Sequence, residues 1–357
     1  MARTLFDRLE TRLSYGLAQI PRVAWYLGHG YAMLRLARRL EGGAERRSAP
    51  QARRRSGPSA SMLYRDLAAL FRRDLANIDA GLYPPPEGED GSVQDRLAAS
   101  RMFFADLPKV AERRREDRGQ EVFEAQERPG LPRYYQQNFH FQTDGWLSER
   151  SAKLYDTQVE VLFVGAANAM RRQALVPLAQ WMKGRDQRRL KLLDIACGTA
   201  RFLREVKRAF PALPVVGLDL SEPYLREASR TLADLRAAAF VNAKAEDLPF
   251  ADASVDAVTS VFLFHELPPK VRRMVLREVA RVLKPGGLFI LVDSLQHGDT
   301  PGYDGLLDGF PTSFHEPYYA GYLAEDLRAL GEEAGLRMLG AEPAWLSKVV
   351  SFDKPAA

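Results

Sequence analysis

Apolar residues are spaced in two different ways along this chain, and the change near residue 190 separates two kinds of structure. From there on, short apolar runs alternate with stretches of helical spacing, as in strands joined by crossover helices. The predicted strands lie near 190–196, 214–219, 239–244, 256–264, 286–293, 336–342 and 345–353. The predicted helices lie near 200–210, 222–237, 268–283 and 322–335. The alternation predicts an α/β fold with a Rossmann-like, seven-stranded, mostly parallel sheet and helices on both faces.

Helical spacing prevails before the sheet and predicts an N-terminal helical accessory region. Residues 1–40 predict one or two helices, because Pro21 and Gly28 break the run. Residues 42–60 are poor in apolar side chains and predict a solvated linker. A further helix begins at about Ser61 and ends before three consecutive prolines. We therefore expect a basic amphipathic segment with its linker (1–60), a helical accessory or cap region (61–150) and the α/β domain (151–357).

The basic charge of the chain is concentrated at its start. Residues 1–60 contain 12 Arg against 4 acidic residues, or +8, and the remainder carries 39 basic against 42 acidic residues, or −3. Arginines there interleave with apolar side chains, which favours a helix lying on anionic lipid or a helix packed on its own protein or on a second subunit. The remainder shows no basic face and no nucleic-acid motif, so we expect no nucleic-acid partner.

Composition indicates a globular enzyme from a reducing compartment. Hydrophobic residues make up 46% and charged residues 27% of the chain. Cys197 is the single cysteine, so no intramolecular disulfide can form, and no Cys and His cluster has metal-ligand spacing. We find no leader peptide and no uncharged apolar run of about 18 residues. We expect a cytoplasmic protein, associated at most with the inner face of a membrane.

Two blocks at the start of the predicted sheet have the pattern of a nucleotide-like ligand site. LLDIACGTARFL, from Leu192, places a turn of small residues between a strand and a helix, so the backbone at Gly198 can approach a ligand closely. VVGLDLSEPYL, from Val215, places Asp219 at the end of the next strand, 19 residues after Ala200. A carboxylate there can accept both hydroxyls of a ribose. The turn lacks the G-x-G-x-x-G spacing, which weakens an NAD interpretation.

Two further blocks complete the set: AEDLPFADASVDAVTSVFLFHEL from Ala245 and ARVLKPGGLFILVDS from Ala280. The four blocks, in this order, resemble the class I S-adenosylmethionine-dependent methyltransferases, and most closely the ubiquinone and menaquinone C-methyltransferase type. The resemblance covers about residues 151–357 and leaves the first 150 residues unmatched. It implies S-adenosylmethionine as the cofactor and methyl transfer as the activity.

The resemblance also implies which residues hold the cofactor. Asp194 and the turn after it would hold the methionine part, Asp219 the ribose, and Leu220 would lie beside the adenine. Lys244 stands where the family usually has Asp, so a side-chain contact to the adenine amino group must come from a neighbour. The implied contacts are Tyr155, Arg171 or Arg172, Asp194, Ala196, Cys197, Gly198, Asp219, Leu220, Ala245, Glu246, Asp247 and Phe262.

Candidate acceptor-side residues follow the fourth and fifth strands. Methyl transfer is an in-line displacement with a neutral leaving group, so the protein aligns the partners and deprotonates the acceptor where required. His265 is the first candidate base, with Glu266 to orient it, and His315 is the second; each could instead be a hydrogen-bonded loop histidine. The dipeptides His265-Glu266 and His315-Glu316 also suit a metal, but the family offers no precedent, and we expect none.

Aromatic residues at this edge suit a ring or a chain as the methyl acceptor. They are Phe262, Phe264, Phe314, Tyr318 and Tyr319, and NFHFQTDGW from Asn138 could add a lid. The predicted function is methyl transfer to carbon or oxygen of a small lipophilic or aromatic molecule, quinone-precursor-like or lipid-like, by a monomer or a homodimer. Three alternatives stay open: aminopropyl transfer on the same sheet, a non-catalytic S-adenosylmethionine-binding module, and a nucleic-acid methyltransferase, for which the base-flipping motif is absent.

Overall fold

The computed structural model describes residues 5–40, 57–125 and 128–356, so most of the predicted linker lies outside the described residues. The helices before the sheet region are α1 (Leu5–Leu40), α2 (Ala60–Asp79), α3 (Val93–Glu116) and α4 (Glu121–Ala125). α2 begins slightly before the predicted Ser61, because the Ser59 hydroxyl accepts the backbone N–H of Met62 and caps the helix there.

The sheet confirms the predicted fold class. Its strands are β1 (Leu192–Ile195), β2 (Val215–Asp219), β3 (Ala238–Asn242), β4 (Val255–Val261), β5 (Leu283–Ser294), β6 (Arg337–Ala344) and β7 (Ser347–Asp353). Their order is β3-β2-β1-β4-β5-β7-β6. β1 to β5 run parallel, and β7 is antiparallel to both β5 and β6. The central strands therefore end at one common edge.

Helices cover both faces of this sheet. They are α5 (Glu149–Leu162), α6 (Ala167–Arg172), α7 (Leu175–Met182), α8 (Arg201–Ala209), α9 (Glu222–Thr231), α10 (Pro269–Val282), α11 (Asp304–Ser313), α12 (Tyr319–Leu323) and α13 (Leu327–Glu333). Leu192 lies in the apolar core of one face and Leu193 in that of the other, and both are fully buried. Burial on two faces explains why the parallel strands are apolar almost throughout. α11 and α12 lie where the sequence predicted only a loop.

The predicted break in the first helix is wrong. α1 continues as one helix through Pro21 and Gly28. Tyr15 and Tyr26, one on each side of the proline, are buried, and the Tyr15 hydroxyl donates to Asp74 Oδ2 at 2.6 Å. Contacts with α2, α3 and α5 hold both halves of α1 in line. Packing therefore overrides the low helix propensity of proline and glycine here.

A buried ionic network joins the accessory helices to the sheet region. Arg22 of α1 lies 2.7 Å from Glu160 of α5, measured from Nη2 to Oε1. Arg172 of α6 lies 2.6 Å from both Asp74 of α2 and Glu89 of the loop that follows it. All five side chains are almost completely buried. Removing one partner from such a network leaves an uncompensated buried charge, so α1 and α2 are integral to the folded structure.

Candidate active site

A cavity of about 760 Å³ opens at the carboxyl edge of the sheet, beyond β1, β2 and β4. β1 lies between β2 and β4, so the crossovers on its two sides diverge and leave a crevice there. The residues on its sheet side are Ala196, Gly198, Leu218, Asp219, Leu220, Ala243, Ala245, Glu246, Val261, Phe262, Leu263, Glu266 and Leu267.

The turn after β1 forms the floor of this cavity. Ala196, Gly198 and Ala200 have φ angles of 53°, 55° and 62°. This left-handed conformation costs nothing for glycine and is strained for any residue with a Cβ, and the short side chains at this turn leave its backbone open to close approach by a ligand. The Gly198 N–H donates to Asp219 Oδ2 at 2.9 Å, and the Ser221 N–H donates to Asp219 Oδ1 at 2.7 Å. The carboxylate thus ties the turn to the end of β2.

Asp219 keeps accepting capacity towards the cavity. Each oxygen accepts one backbone N–H, and a carboxylate oxygen has two lone pairs. Burial raises the pKa of Asp219 to about 6, with the N–H groups of Ser221 and Gly198 opposing the rise. At neutral pH the group is an ionised acceptor in a site of low polarity, and such an acceptor forms strong hydrogen bonds with hydroxyl donors.

Asp194 and Cys197 lie beneath the turn and do not line the cavity. Asp194 is 1% exposed and accepts a hydrogen bond from Thr259 Oγ1 at 2.6 Å. Burial raises its pKa to about 7, against the lowering effect of the Thr259 hydroxyl. Cys197 is also buried, with its backbone N–H bonded to the Leu218 carbonyl at 2.9 Å. Both residues therefore support the turn from within the sheet.

The accessory region closes the cavity from above with aromatic side chains. Tyr134, Tyr135 and Trp146 line it together with Tyr155 of α5. The Tyr134 hydroxyl donates to Glu246 Oε1 at 2.7 Å, joining this cover to the segment after β3. Trp146 belongs to the predicted lid segment from Asn138. Tyr134 and Tyr135 were not among the predicted site residues. The clustering of aromatic residues in RYYQQNFHF, from Arg133, is the feature that could have identified them.

A cluster of buried ionisable groups borders the cavity beyond β4. His265 Nδ1 lies 2.5 Å from Asp293 Oδ1, and His140 Nε2 lies 2.5 Å from Glu316 Oε1. Glu266 Oε1 stands between these pairs, 3.6 Å from His265 Nε2 and 3.5 Å from His140 Nε2. Burial lowers the pKa of His265, but Asp293 outweighs this effect and raises it to about 9. Burial and the Glu316 carboxylate raise the pKa of Glu266 to about 8.

A second cavity, of about 880 Å³, lies on the other side of this cluster. His140 lines this second cavity and Glu266 lines the first, so their 3.5 Å contact separates the two. The remaining lining is mostly apolar and comes from α1, α3, α5 and the end of α11: Met33, Leu34, Phe103, Asp106, Leu107, Val110, Ala111, Arg114, Gln158, Val161, Leu162 and Phe314. The accessory helices therefore build most of this chamber.

Several predicted site residues lie elsewhere. His315 faces away from both cavities, because α11 and α12 direct it towards the accessory region, where its Nε2 lies 2.9 Å from Gln137 Oε1. Arg171 hydrogen-bonds to Asn168 Oδ1 at 2.8 Å, and Arg172 is held by the buried network described above. Asp247 borders a separate surface depression. His265 lies behind Glu266 and lines neither cavity.

The sequence is similar to those of known methyltransferases. Residues 192–287 match the family model described as a methyltransferase domain. The chain is 32% identical over 183 residues to a demethylmenaquinone methyltransferase of Thermotoga maritima, covering 51% of this chain and 75% of that protein. It is 36% identical over 129 residues to the protein of the same name in Listeria monocytogenes, covering 35% of this chain and 53% of that protein, about half of its length.

Two solved structures also match part of this chain. An S-adenosylmethionine-dependent methyltransferase from Aquifex aeolicus matches with a TM-score of 0.42 and 18% identity, over 58% of this chain and 99% of that chain. The geranyl diphosphate C-methyltransferase from Streptomyces coelicolor matches with a TM-score of 0.39 and 15% identity, over 52% of this chain and 81% of that chain.

Proposed function

Since this chain belongs to the class I S-adenosylmethionine-dependent methyltransferases of the quinone C-methyltransferase type, we propose that it methylates carbon or oxygen of a small lipophilic or aromatic acceptor. Its cofactor is S-adenosylmethionine. The observation that carries the proposed acceptor class is the apolar chamber, one of whose lining residues, His140, lies 3.5 Å from Glu266 in the lining of the cavity at the sheet edge. One cavity suits the methyl donor and the other suits a lipophilic acceptor.

The cofactor would lie across the turn after β1 and the end of β2. Asp219 accepts the ribose hydroxyls, and the backbone beside Ala196 and Gly198 approaches the methionine part. Leu220, Ala245 and Glu246 border the adenine, with Tyr155 and Phe262 completing the wall. The side chain of Glu246 already accepts the Tyr134 hydroxyl, so a contact to the adenine amino group shares that carboxylate. Arg172 is held by Asp74 and Glu89, so we propose no contact between it and the methionine carboxylate, whereas Arg171, whose guanidinium lies 5.7 Å from the ring centre of Phe262, stays a candidate.

The acceptor would present its reacting atom to the methyl group beside Glu266. Its apolar part occupies the second chamber, among aliphatic and aromatic side chains of α1, α3 and α5. The two cavities would hold donor and acceptor in the near-linear alignment that displacement at a methyl carbon requires. His265, held by Asp293, is the proposed proton acceptor of this side and acts across Glu266; because its pKa is raised to about 9, the neutral form that accepts a proton increases as the pH rises towards 9.

The outer face of α1 is the proposed contact with a membrane surface. Between Leu13 and Leu34, about 30 Å of helix, no charged side chain of α1 is exposed. The exposed large side chains of this helix are Phe6, Leu9, Leu13, Leu17, Ile20, Tyr31 and Leu34. Exposed Arg12 and Arg35 flank the apolar stretch. Residues 1–60 also carry a strong excess of basic residues, and positive charge beside an apolar face favours binding to anionic lipid. No helix among the described residues is long and apolar enough to cross a membrane.

The apolar outer face of α1 meets the lining of the second cavity at Leu34. Leu34 is exposed on α1 and also lines the second cavity, with Met33 beside it. A lipophilic acceptor dissolved in the bilayer therefore has an apolar route to the chamber. Partition into the lipid supplies the acceptor, and the chamber selects it by shape.

The decisive experiment supplies the purified chain with S-adenosylmethionine and a reduced naphthoquinol that lacks a ring methyl group. We expect a product heavier by one methylene unit, together with S-adenosylhomocysteine in equal amount. Asp219→Ala serves as the control for cofactor-dependent turnover. An untargeted metabolite comparison of cells with and without the gene extends the search to other acceptors. Cofactor binding without any methylated product in either experiment would leave only a binding module.

A further inference from the structure

We propose that His140, Glu266 and Glu316 bind one divalent metal ion at the junction of the two cavities. Each of these residues offers one ligand atom, and the three atoms lie within 4.8 Å of one another. His140 comes from the lid segment, Glu266 from the turn after β4, and Glu316 from the loop between α11 and α12. Segments distant in sequence thus converge on one point. One imidazole and two carboxylates are ligands that first-row divalent metals accept.

The strongest sign of an ion is that several polar atoms of these three ligand residues lack an aligned hydrogen-bond partner. Both oxygens of Glu316, Oε2 of Glu266 and Nε2 of His140 are buried and have no hydrogen-bond partner. The side chain of Glu316 is 0% exposed and that of Glu266 is 5% exposed. Even the 2.5 Å contact between His140 and Glu316 lacks the alignment of a hydrogen bond. Buried carboxylates in proteins are nearly always hydrogen-bonded, paired or bound to a metal.

Charge favours the same conclusion. Glu266 and Glu316 face each other across the cluster, and Asp293 adds a third carboxylate behind His265. In the state that a bound ion requires, with the three carboxylates ionised and both histidines neutral, these groups carry a formal charge of −3, which a divalent ion reduces to −1; without an ion, protons held by the cluster balance this charge instead. A metal ion also requires neutral imidazole at His140, so binding it releases any proton held there. A histidinium at His140 is the competing arrangement, and it leaves the Glu316 oxygens without aligned donors.

The ligand set indicates the kind of ion. Calcium takes six to eight oxygen ligands and magnesium keeps several waters, whereas a histidine with two carboxylates suits manganese or zinc. Three protein ligands leave coordination positions open. Glu266 lines the cofactor cavity and His140 lines the apolar chamber, so an ion held by both residues would lie at the junction of the two cavities.

The use of this ion rests on the proposed function. A hydroxyl of the acceptor would occupy the open position, where the metal would stabilise its oxyanion, and its proton would pass by way of Glu266 to neutral His265. The electron-rich oxygen, or the ring carbon conjugated with it, would then attack the methyl group. The new bond to the methyl would form as its bond to sulfur breaks, and the electron pair would stay on sulfur. For attack through carbon, the ring proton would move to the acceptor oxygen, which restores the aromatic ring, and His265 would keep the one proton that the reaction releases. Substrates of this class are phenols and quinols.

Metal binding is tested first, without any acceptor. The full chain is stripped with a chelator, and Mn²⁺ is titrated while the electron paramagnetic resonance of free Mn²⁺ is followed. We expect one equivalent bound, and at least about tenfold weaker binding in Glu316→Gln and in His140→Gln, because each removes a ligand. Asp308→Asn is the matched control, since His297 and Asp308 form an exposed pair at 2.8 Å outside the site, and it should bind like the wild type.

S-adenosylhomocysteine binding, measured on the same samples, shows that each variant is folded. Wild-type protein that binds this compound but takes up no stoichiometric Mn²⁺ or Zn²⁺ would overturn the proposal. Equal Mn²⁺ affinity in wild type and in both ligand variants would overturn it as well. If the ion binds as expected but no acceptor is methylated, the metal site stands and the proposed function fails, so the two failures are distinguishable.

Discussion

Replacement of Asp219 is the sharpest test of how the cofactor is held. The side chain accepts the backbone N–H groups of Gly198 and Ser221 and retains lone pairs that face the cavity. Asp219→Ala removes every acceptor at this position. Asp219→Asn keeps the volume and one oxygen, but its NH₂ group can no longer accept. The two variants therefore differ in how many ribose hydroxyls keep a partner.

The expected magnitude follows from the number of hydrogen bonds lost. A hydrogen bond to a charged group contributes about 1.5–3 kcal/mol. Losing two of them in Asp219→Ala costs about 3–6 kcal/mol, and each 1.4 kcal/mol is tenfold in the dissociation constant, so affinity should fall about 10²- to 10⁴-fold. Asp219→Asn loses one, and its affinity should fall about 10- to 100-fold.

Calorimetry with S-adenosylhomocysteine measures these losses, but the turn at Gly198 could also collapse in the alanine variant. Methylthioadenosine and its 2′,3′-dideoxy analogue separate the two effects. The wild type should prefer the compound with ribose hydroxyls, and Asp219→Ala should lose this preference. Asp256→Asn, at the opposite edge of the sheet beside Lys284, should change neither affinity. An alanine variant that keeps the full preference would refute the ribose contact, whatever its overall affinity.

Four further outcomes are expected. Because burial raises the pKa of Asp219 to about 6, the carboxylate is ionised above that pH and protonated below it. The affinity for S-adenosylhomocysteine should therefore fall about tenfold per pH unit below 6. In Asp219→Asn the affinity should not change with pH over this range. His265→Asn should lower turnover about 10²- to 10⁴-fold with unchanged cofactor affinity, and wild-type turnover would exclude it as the base. The triple change Leu13→Gln, Leu17→Gln and Ile20→Gln should abolish sedimentation with anionic vesicles, whereas Tyr64→Gln on α2 should not. Equal sedimentation of the triple variant and the wild type would contradict a lipid contact. A loss of dimers in the triple variant would contradict it as well. Arg172→Ala should lower the free energy of unfolding by about 3–5 kcal/mol in urea titrations, since Asp74 and Glu89 stay buried without their partner, and a change under about 1 kcal/mol would contradict this role.

The buried network also changes how the membrane contact must be tested. The sequence alone suggests deleting residues 1–60. Arg22 pairs with Glu160 and Tyr15 hydrogen-bonds Asp74, so this deletion would strip buried partners from α2 and α5. Lost vesicle binding would then reflect unfolding. Substitutions on the exposed face avoid this ambiguity, because they leave every buried contact in place.

The sequence by itself determined the α/β sheet, the turn after β1 and Asp219 at the end of β2. Each depends on neighbouring residues: strand and helix periods repeat within a few positions, and a turn whose backbone approaches a ligand closely favours small side chains. The carboxyl ends of parallel strands must meet at one edge, so the position of the cofactor cavity followed from strand order. The fold class and the cofactor were therefore predictable.

Only the tertiary structure decided which side chains reach the site from elsewhere. It brought His140 and Tyr134 over the sheet edge, turned His315 away from it, and tied Arg172 to Asp74 and not to a ligand. It also carried α1 unbroken past Pro21. These outcomes depend on contacts between segments far apart in sequence, whose packing and charge pairing are settled when the helices dock. No local sequence pattern determines which of several similar residues will face a cavity, because packing between distant segments fixes the orientation of each side chain.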